Sequence, residues 1–198
     1  MQHRPIFQVI DGVLIGAEQI PSPNFNQRPD ETEIQLVVIH NISLPPSQFG
    51  CGYIQQFFQN KLDWSMHPYF QTIEGMQVSA HILILRTGEV LQFVNLKDRA
   101  WHAGRSCYLG KKECNDYSIG IELEGSDDLA FEDVQYQKLA EVVAALQTTY
   151  PKIQQHLTGH SDIAAGRKTD PGPYFDWMKF RFLLKQLKNQ STVIPLND

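Results

Sequence analysis

Tyr117-Ser118-Ile119-Gly120-Ile121-Glu122-Leu123-Glu124-Gly125 alternates strictly: Ile119, Ile121 and Leu123 fall on one face, Gly120, Glu122 and Glu124 on the other. A period of two is that of a β-strand. Two carboxylates and a glycine sharing a face either wall a site or form the wet side of a solvated edge strand. Upstream, Ile34–Ile39 (Ile-Gln-Leu-Val-Val-Ile) reads as a second strand, apolar on both faces and therefore central; it runs into His40. Between the two, Gln77–Phe93 reads as a hairpin, with strands Val78–Leu85 and Val90–Val94 around the turn Arg86-Thr87-Gly88-Glu89. Downstream, Glu132–Tyr150 is a helix, because Tyr136, Leu139, Ala140, Val143, Leu146 and Tyr150 recur at steps of three and four and Pro151 follows. Asp176 is placed to cap a last helix with Trp177, Phe180, Leu184 and Leu187 inside.

The remaining stretches are less regular. Residues 1–33 read as an irregular arm wrapped on the domain, with one apolar run at Val9–Ile15 and turn chemistry at Pro21–Asn26 and Arg28-Pro29-Asp30. Tyr53–Lys61 is a candidate short helix presenting Ile54, Phe57 and Phe58, and Asp63–Gly75 reads as loop. The length and turn-rich composition of residues 45–75 lead us to expect a movable lid. Residues 189–198 read as a frayed tail.

At 198 residues the chain fits one domain with a real core. A hydrophobic fraction of 42% and a charged fraction of 20% are ordinary for a soluble globular protein. A net charge of −5 gives no general nucleic-acid surface, and no apolar run approaches the roughly 18–20 residues of a membrane span. The N-terminal residues are too polar for a signal peptide. Three cysteines (Cys51, Cys107, Cys114) are too few and too odd for a disulfide framework, which points to a reducing cytoplasm. The acidic balance and the lack of an obvious apolar stripe make a monomer the expected state.

Chemistry-bearing residues gather in Thr158–Pro173, a loop by composition that holds His160, the Arg167-Lys168 pair and Asp170. An imidazole nitrogen and a carboxylate oxygen are both good ligands for first-row metals. Alone, a His and an Asp ten residues apart are usually surface residues. His40, at the end of a buried strand, supplies a third candidate ligand. Taken singly, His67 and His81 read as packing residues. Three possible ligands with a separate carboxylate and a lysine are the parts of a zinc hydrolase: an open coordination position for water, a carboxylate to move its proton and a cation for the oxyanion.

The chain resembles the zinc-dependent N-acetylmuramoyl-L-alanine amidases of the amidase-2 or peptidoglycan-recognition type. The matching stretches are Val38–Pro46, Val78-Ser79-Ala80-His81, Arg99–Gly104, Cys114-Asn115-Asp116, Ser118–Gly125, Thr158-Gly159-His160 and Arg167–Pro173, in that order. The resemblance covers about Pro21 to Leu184. It implies an α/β (α+β) fold: a single domain over residues 1–198 with a mixed central sheet flanked by helices and zinc at one edge of the sheet. It implies that His40, His160 and Asp170 bind Zn2+, that Glu122 rather than Glu124 is the catalytic carboxylate, and that Lys168 stabilises the transition state. Asn41, Ala100 and Trp101 match positions along the muropeptide groove, and Arg167 is counted with them.

The implied reaction is hydrolysis of the amide between the lactyl group of (1,6-anhydro-)N-acetylmuramic acid and L-alanine, in cytoplasmic peptidoglycan recycling. The anhydro-muropeptide is then the partner, with neither nucleic acid nor membrane. The alternatives are a muropeptide-recognition module without catalysis, or an envelope or phage amidase acting on intact wall. Two positions depart from the family's pattern: Gln77 and Glu113 stand where a basic residue often does. Arg105, Lys111 or Lys112 are the cations available to substitute.

Overall fold

The structure, a computed structural model, describes residues 7–30 and 34–192. Residues 1–6 and 31–33 of the expected arm, and 193–198 of the expected tail, lie outside the described residues. The arm is not irregular. Strands β1 (Gln8–Ile10) and β2 (Val13–Ile15) form an antiparallel hairpin, β3 (Glu18–Gln19) joins the main sheet and β4 (Phe25–Gln27) follows. Strands of two or three residues are too short to display a period, so the sequence shows only their turns. Leu14 is fully buried, and its backbone N–H donates to Gln92 Oε1 at 2.7 Å, which ties the hairpin to the sheet.

The next strand, β5 (Leu36–Ile42), runs three residues beyond the expected end, so His40 lies inside it. Then come helix α1 (Tyr53–Phe58) and the one-turn helix α2 (Pro68–Gln71), which starts where His67 Nδ1 accepts the Tyr69 N–H at 3.1 Å. The hairpin is present but shorter than expected: β6 (Ile82–Ile84) and β7 (Val90–Gln92) pair antiparallel across a turn closed by Gly88 N–H donating to Leu85 O. Short strands β8 (Asp98–Ala100), β9 (Cys107–Tyr108) and β10 (Lys111–Lys112) lead to β11 (Ser118–Glu124). Helix α3 (Asp133–Thr149) begins with the Gln135 side chain accepting the Glu132 N–H at 3.0 Å. Strand β12 (Leu157–Gly159), the single turn α4 (His160–Ile163) and helix α5 (Trp177–Thr192) complete the chain. Asp176 does cap α5, accepting the Lys179 N–H at 2.9 Å, and the helix continues through residues 189–192, which the sequence reading assigned to the tail.

The six-stranded sheet has the order β12-β5-β11-β6-β7-β3. Strands β12, β5, β11 and β6 are parallel, and β7 is antiparallel to β6, so the sheet is mixed as the resemblance implied. Strand β11 is central, not a solvated edge: it lies between β5 and β6, and all seven of its residues are buried. One face packs Val37, Ile39, Ile119, Ile121 and Leu123 against α3 and α5 through Leu139, Val143, Leu146 and Phe180. Burying each of these larger side chains is worth about 1.5–3 kcal/mol.

The other face carries two smaller clusters. Ile54, Phe57, Phe58 and Phe70 pack on Leu83, Leu91 and Phe93. Residues 53–75, where a movable lid was expected, are thus anchored by three buried phenylalanines, and ahead of them the Gly50 N–H donates to Glu124 Oε1 at 2.6 Å. Near β12, Leu36, Val38, Ala103, Cys114, Tyr117 and Ile163 form the second cluster. All three cysteines are free.

Arg28 pins the arm to this face. It is 7% exposed, and its guanidinium donates to the carbonyls of Leu96 (3.3 Å), Asn115 (2.9 Å), Asp116 (3.1 Å) and Ser118 (2.7 Å). Burial draws its pKa down to about 10, so the group stays charged at neutral pH. His81 is a packed histidine, as expected: its Nδ1 accepts the Gly120 N–H at 3.0 Å.

Candidate metal and catalytic centre

Parallel pairing sets His40 of β5 directly beside Glu122 of β11. Paired residues in adjacent strands point to the same side, and here that side is the one away from α3 and α5. The alternation that buries Ile119, Ile121 and Leu123 under the helices therefore delivers Glu122 next to His40. The next strand over, β12, ends at Gly159, and His160 opens the turn that follows. Asp162 holds that turn by accepting from the Gly159 N–H (3.1 Å) and the Thr158 hydroxyl (2.8 Å). Asp170 returns to the same place: its carbonyl accepts the Ser161 N–H at 2.9 Å. A Cβ on Gly159 would come within 2.8 Å of Pro171 Cδ, so only glycine lets the loop close this tightly over the strand end.

His40 Nδ1, His160 Nδ1 and Asp170 Oδ2 form a small triangle. The separations are 3.0 Å between the two nitrogens, 2.8 Å from His40 to Asp170 and 3.0 Å from His160 to Asp170. Among the described residues this trio is the group of His, Cys, Asp or Glu side chains close enough to share a metal ion. His40 is 1% exposed, His160 3% and Asp170 14%.

The donor set fits a cation. His160 Nε2 lies 3.0 Å from the Ala103 carbonyl, which can only accept, so that nitrogen carries the proton and Nδ1 is bare. Bare nitrogens and a carboxylate oxygen at this spacing repel one another unless a positive charge sits among them. Metal bonds of about 2.0–2.1 Å in tetrahedral array place ligand atoms about 3.3 Å apart, close to what is found. Burial pulls the His40 pKa down to about 4, with the Asp170 contact only partly offsetting it, so the ring is neutral and available as a ligand. Burial works to raise the Asp170 carboxyl, but the adjoining His160 and His40 rings outweigh it and hold the group well below the usual carboxylate range.

Glu122 and Glu124, two residues apart on one strand face, have different lives. Glu124 is spent on backbone: Oε1 accepts the Gly50 N–H at 2.6 Å and Oε2 the Arg86 N–H at 3.1 Å. Glu122 is 8% exposed, and its Oε2 is buried with no hydrogen-bond partner. Burial first, and the Asp170 charge second, push its carboxyl well above the normal range, while Lys168 pulls the other way. Lys168 itself is exposed on the loop, and its charge also reaches His40.

The remaining expected site residues divide. Asn41 follows His40, and its amide donates to Asp127 Oδ1 at 2.7 Å. Trp101 is half-buried with its indole N–H on Asn26 Oδ1 at 2.7 Å, which leaves part of the ring open. The Ala100 methyl is sealed in the core and does not line a groove. The Arg167 guanidinium is committed to the carbonyls of Ala103 (2.8 Å) and Arg105 (2.7 Å), so it braces the rim of the site instead of presenting a free charge. Lys111 lies over the Tyr117 ring, 4.3 Å from its centroid. His102, not among the expected site residues, places its Nδ1 3.0 Å from His40 Nε2. Its signal was its place beside Trp101, but nothing local ties it to a strand 62 residues upstream.

Comparison with known proteins agrees with this geometry. The family model described as N-acetylmuramoyl-L-alanine amidase matches residues 30–173. The 1,6-anhydro-N-acetylmuramyl-L-alanine amidase AmpD of Escherichia coli is 53% identical over 175 residues, covering 88% of this chain and 96% of that protein. A crystal structure of a selenomethionine AmpD derivative superposes with a TM-score of 0.87 at 53% identity, covering 89% of this chain and 98% of that one. AmpDh3 of Pseudomonas aeruginosa, crystallised in complex with an anhydromuramic pentapeptide, superposes with a TM-score of 0.56 at 27% identity, covering 78% of this chain and 61% of that one.

Proposed function

The chain belongs to the N-acetylmuramoyl-L-alanine amidase family, and from that premise we propose that it works as a zinc enzyme whose ion is held by His40, His160 and Asp170. The reaction is hydrolysis of the amide joining the lactyl group of a 1,6-anhydro-N-acetylmuramyl sugar to L-alanine. The observation that carries the reading is the triangle of three ligand atoms with the unpartnered Glu122 Oε2 on the adjacent strand. Zinc bound there supplies a Lewis acid for the amide carbonyl and acidifies water for attack.

The side chains do the rest. Glu122 takes a proton from the attacking water as the C–O bond forms, then delivers it to the nitrogen as the C–N bond breaks. Burial lifts its carboxyl above the normal range, which suits a group that must both take up and give back a proton. Lys168, exposed at the mouth and within electrostatic reach of Glu122, stabilises the oxyanion. Trp101 offers an apolar wall and Asn41 an amide oriented by Asp127, and both face the muropeptide in this reading. Ala100 and Arg167 act on the groove indirectly, by shaping the strand and rim beside it. The products are the anhydro-sugar and the free stem peptide.

We take the chain as a single amidase domain and a monomer working in the cytoplasm. Its three free thiols suit a reducing compartment, and among the described residues no helix is long and apolar enough to cross a membrane. The test is incubation with anhydro-muramyl tripeptide, with and without a zinc chelator, followed by mass spectrometry. Chelator-sensitive release of free tripeptide is expected. A zinc-loaded protein that binds the muropeptide and leaves it intact would refute the catalytic reading.

A further inference from the structure

Four groups run in line from the metal centre into the protein: His40, His102, Ser118 and the carbonyl of Cys114. His40 Nε2 is 3.0 Å from His102 Nδ1, His102 Nε2 is 3.2 Å from Ser118 Oγ, and Ser118 Oγ is 2.6 Å from Cys114 O. The direction of each hydrogen bond is fixed from the far end. A carbonyl oxygen only accepts, so the Ser118 hydroxyl donates to Cys114 O. With its proton spent, Ser118 Oγ accepts from His102 Nε2–H. In the neutral ring the other nitrogen, Nδ1, is then bare and accepts from His40 Nε2–H. His40 is left with Nδ1 bare, and Nδ1 is the atom that faces His160 and Asp170.

We propose that His102, oriented by Ser118, is a positioning residue that sets the tautomer and ring orientation of His40 for metal binding. His160 gets the same service in one step, from the Ala103 carbonyl. His40 sits within a strand and needs the relay. A second observation supports the role. A Cβ on Gly120 would lie 2.4 Å from His102 Cγ and 2.6 Å from its Nδ1, so the strand residue beneath the ring is bare where the ring must lie. Gly120 is the neighbour of Glu122 on the same face of β11, so one strand gives up a side chain to seat His102 and presents a carboxylate next to it. Reversing the relay would put a proton on His40 Nδ1, aimed into the ligand triangle. Groups that donate to or accept from a ligating imidazole in this way typically change metal affinity about 10–100-fold when removed.

The inference rests on the zinc reading above, and its test separates the two. Nitrogen-15 NMR of the wild-type protein with zinc added reads the His102 tautomer directly; Nε2–H with a bare Nδ1 is expected, and a proton on Nδ1 would overturn the relay. Zinc affinity is then measured by competition with a chromophoric chelator for wild type, His102→Leu, His102→Asn and Gly120→Ala. His102→Leu offers no acceptor and is expected to bind zinc about 10–100-fold more weakly. His102→Asn carries an amide oxygen where the imidazole has Nδ1 and is expected to recover most of that loss. Gly120→Ala, which pushes the ring away, is expected to resemble His102→Leu. Thermal unfolding of the metal-free forms controls for general damage, which would lower the leucine and asparagine variants alike. Wild-type zinc affinity in His102→Leu, or equal weakening in both His102 variants, would overturn the positioning role. A wild-type protein with the expected tautomer but no zinc affinity would overturn the zinc reading and leave the relay standing.

Discussion

Replacing Arg28 by methionine should destabilise the metal-free protein by about 3 kcal/mol, although Arg28 lies in a stretch that reads as a turn. The side chain is 7% exposed and donates four hydrogen bonds to backbone carbonyls, at 2.7–3.3 Å. Of the four residues whose carbonyls it holds, Leu96, Asn115 and Ser118 are buried. A buried acceptor left unpaired costs about 1–3 kcal/mol, so three of them set a scale of about 3–9 kcal/mol. Against this stands the cost of keeping a guanidinium out of water, visible in a pKa drawn down to about 10, and methionine no longer bears it. The difference should lie near the lower end of that scale. For a domain of this size 1 kcal/mol moves the Tm by about 2–4 °C, so a fall of roughly 6–12 °C is expected. Urea and thermal unfolding with a chelator present would measure it without a contribution from bound metal. Arg28→Lys keeps the charge but not the planar fork, and should recover less than half the loss. A change below about 0.5 kcal/mol in Arg28→Met would refute the reasoning, because it would mean that water satisfies those carbonyls and the arm is not pinned there.

Other expected outcomes follow from the site. Glu122→Gln should retain zinc while kcat falls about 10²–10⁴-fold, and Lys168→Met should lower kcat about 10²–10³-fold with a smaller change in KM; metal analysis and steady-state kinetics check both. In the metal-free protein, His40, His81 and His102 have pKa values held below the ordinary histidine value, chiefly by burial. Their contribution to stability is present above about pH 6.5 and is lost as pH falls, because the unfolded chain takes up protons the fold refuses. Glu122, raised by burial, has the opposite sign: its contribution is present below about pH 4.5 and is lost as pH rises through its folded value. Three groups against one should make stability rise with pH across pH 5–7, and more steeply in Glu122→Gln, as urea unfolding over that range would show. Adding zinc at about 100 times its Kd should stabilise the wild type by about 2.7 kcal/mol in a thermal shift, and Asp170→Ala should remove most of that gain.

The sequence by itself carries the elements whose period is long enough to read. Strand β11, helix α3 and helix α5 are legible because seven to seventeen residues repeat an apolar period, and the His40, His160 and Asp170 set is legible from motif order. The arm's strands of two and three residues, and the anchoring of residues 53–75 by Phe57, Phe58 and Phe70, are not, since neither leaves a period. Local pattern also left Glu122 and Glu124 equivalent and β11 with the option of an exposed edge. The family resemblance favours Glu122, and the tertiary structure supplies the physical reason. The parallel register sets Glu122 against His40, while Glu124 meets the backbone of Gly50 and Arg86. The same holds for Arg167, drawn onto two carbonyls, and for His102, which becomes His40's partner across 62 residues of chain. Sequence determines which side chains are available and which face of each element they take. The pairing of strands distant in the chain decides which of them meet, and so which carboxylate is left unpaired for chemistry.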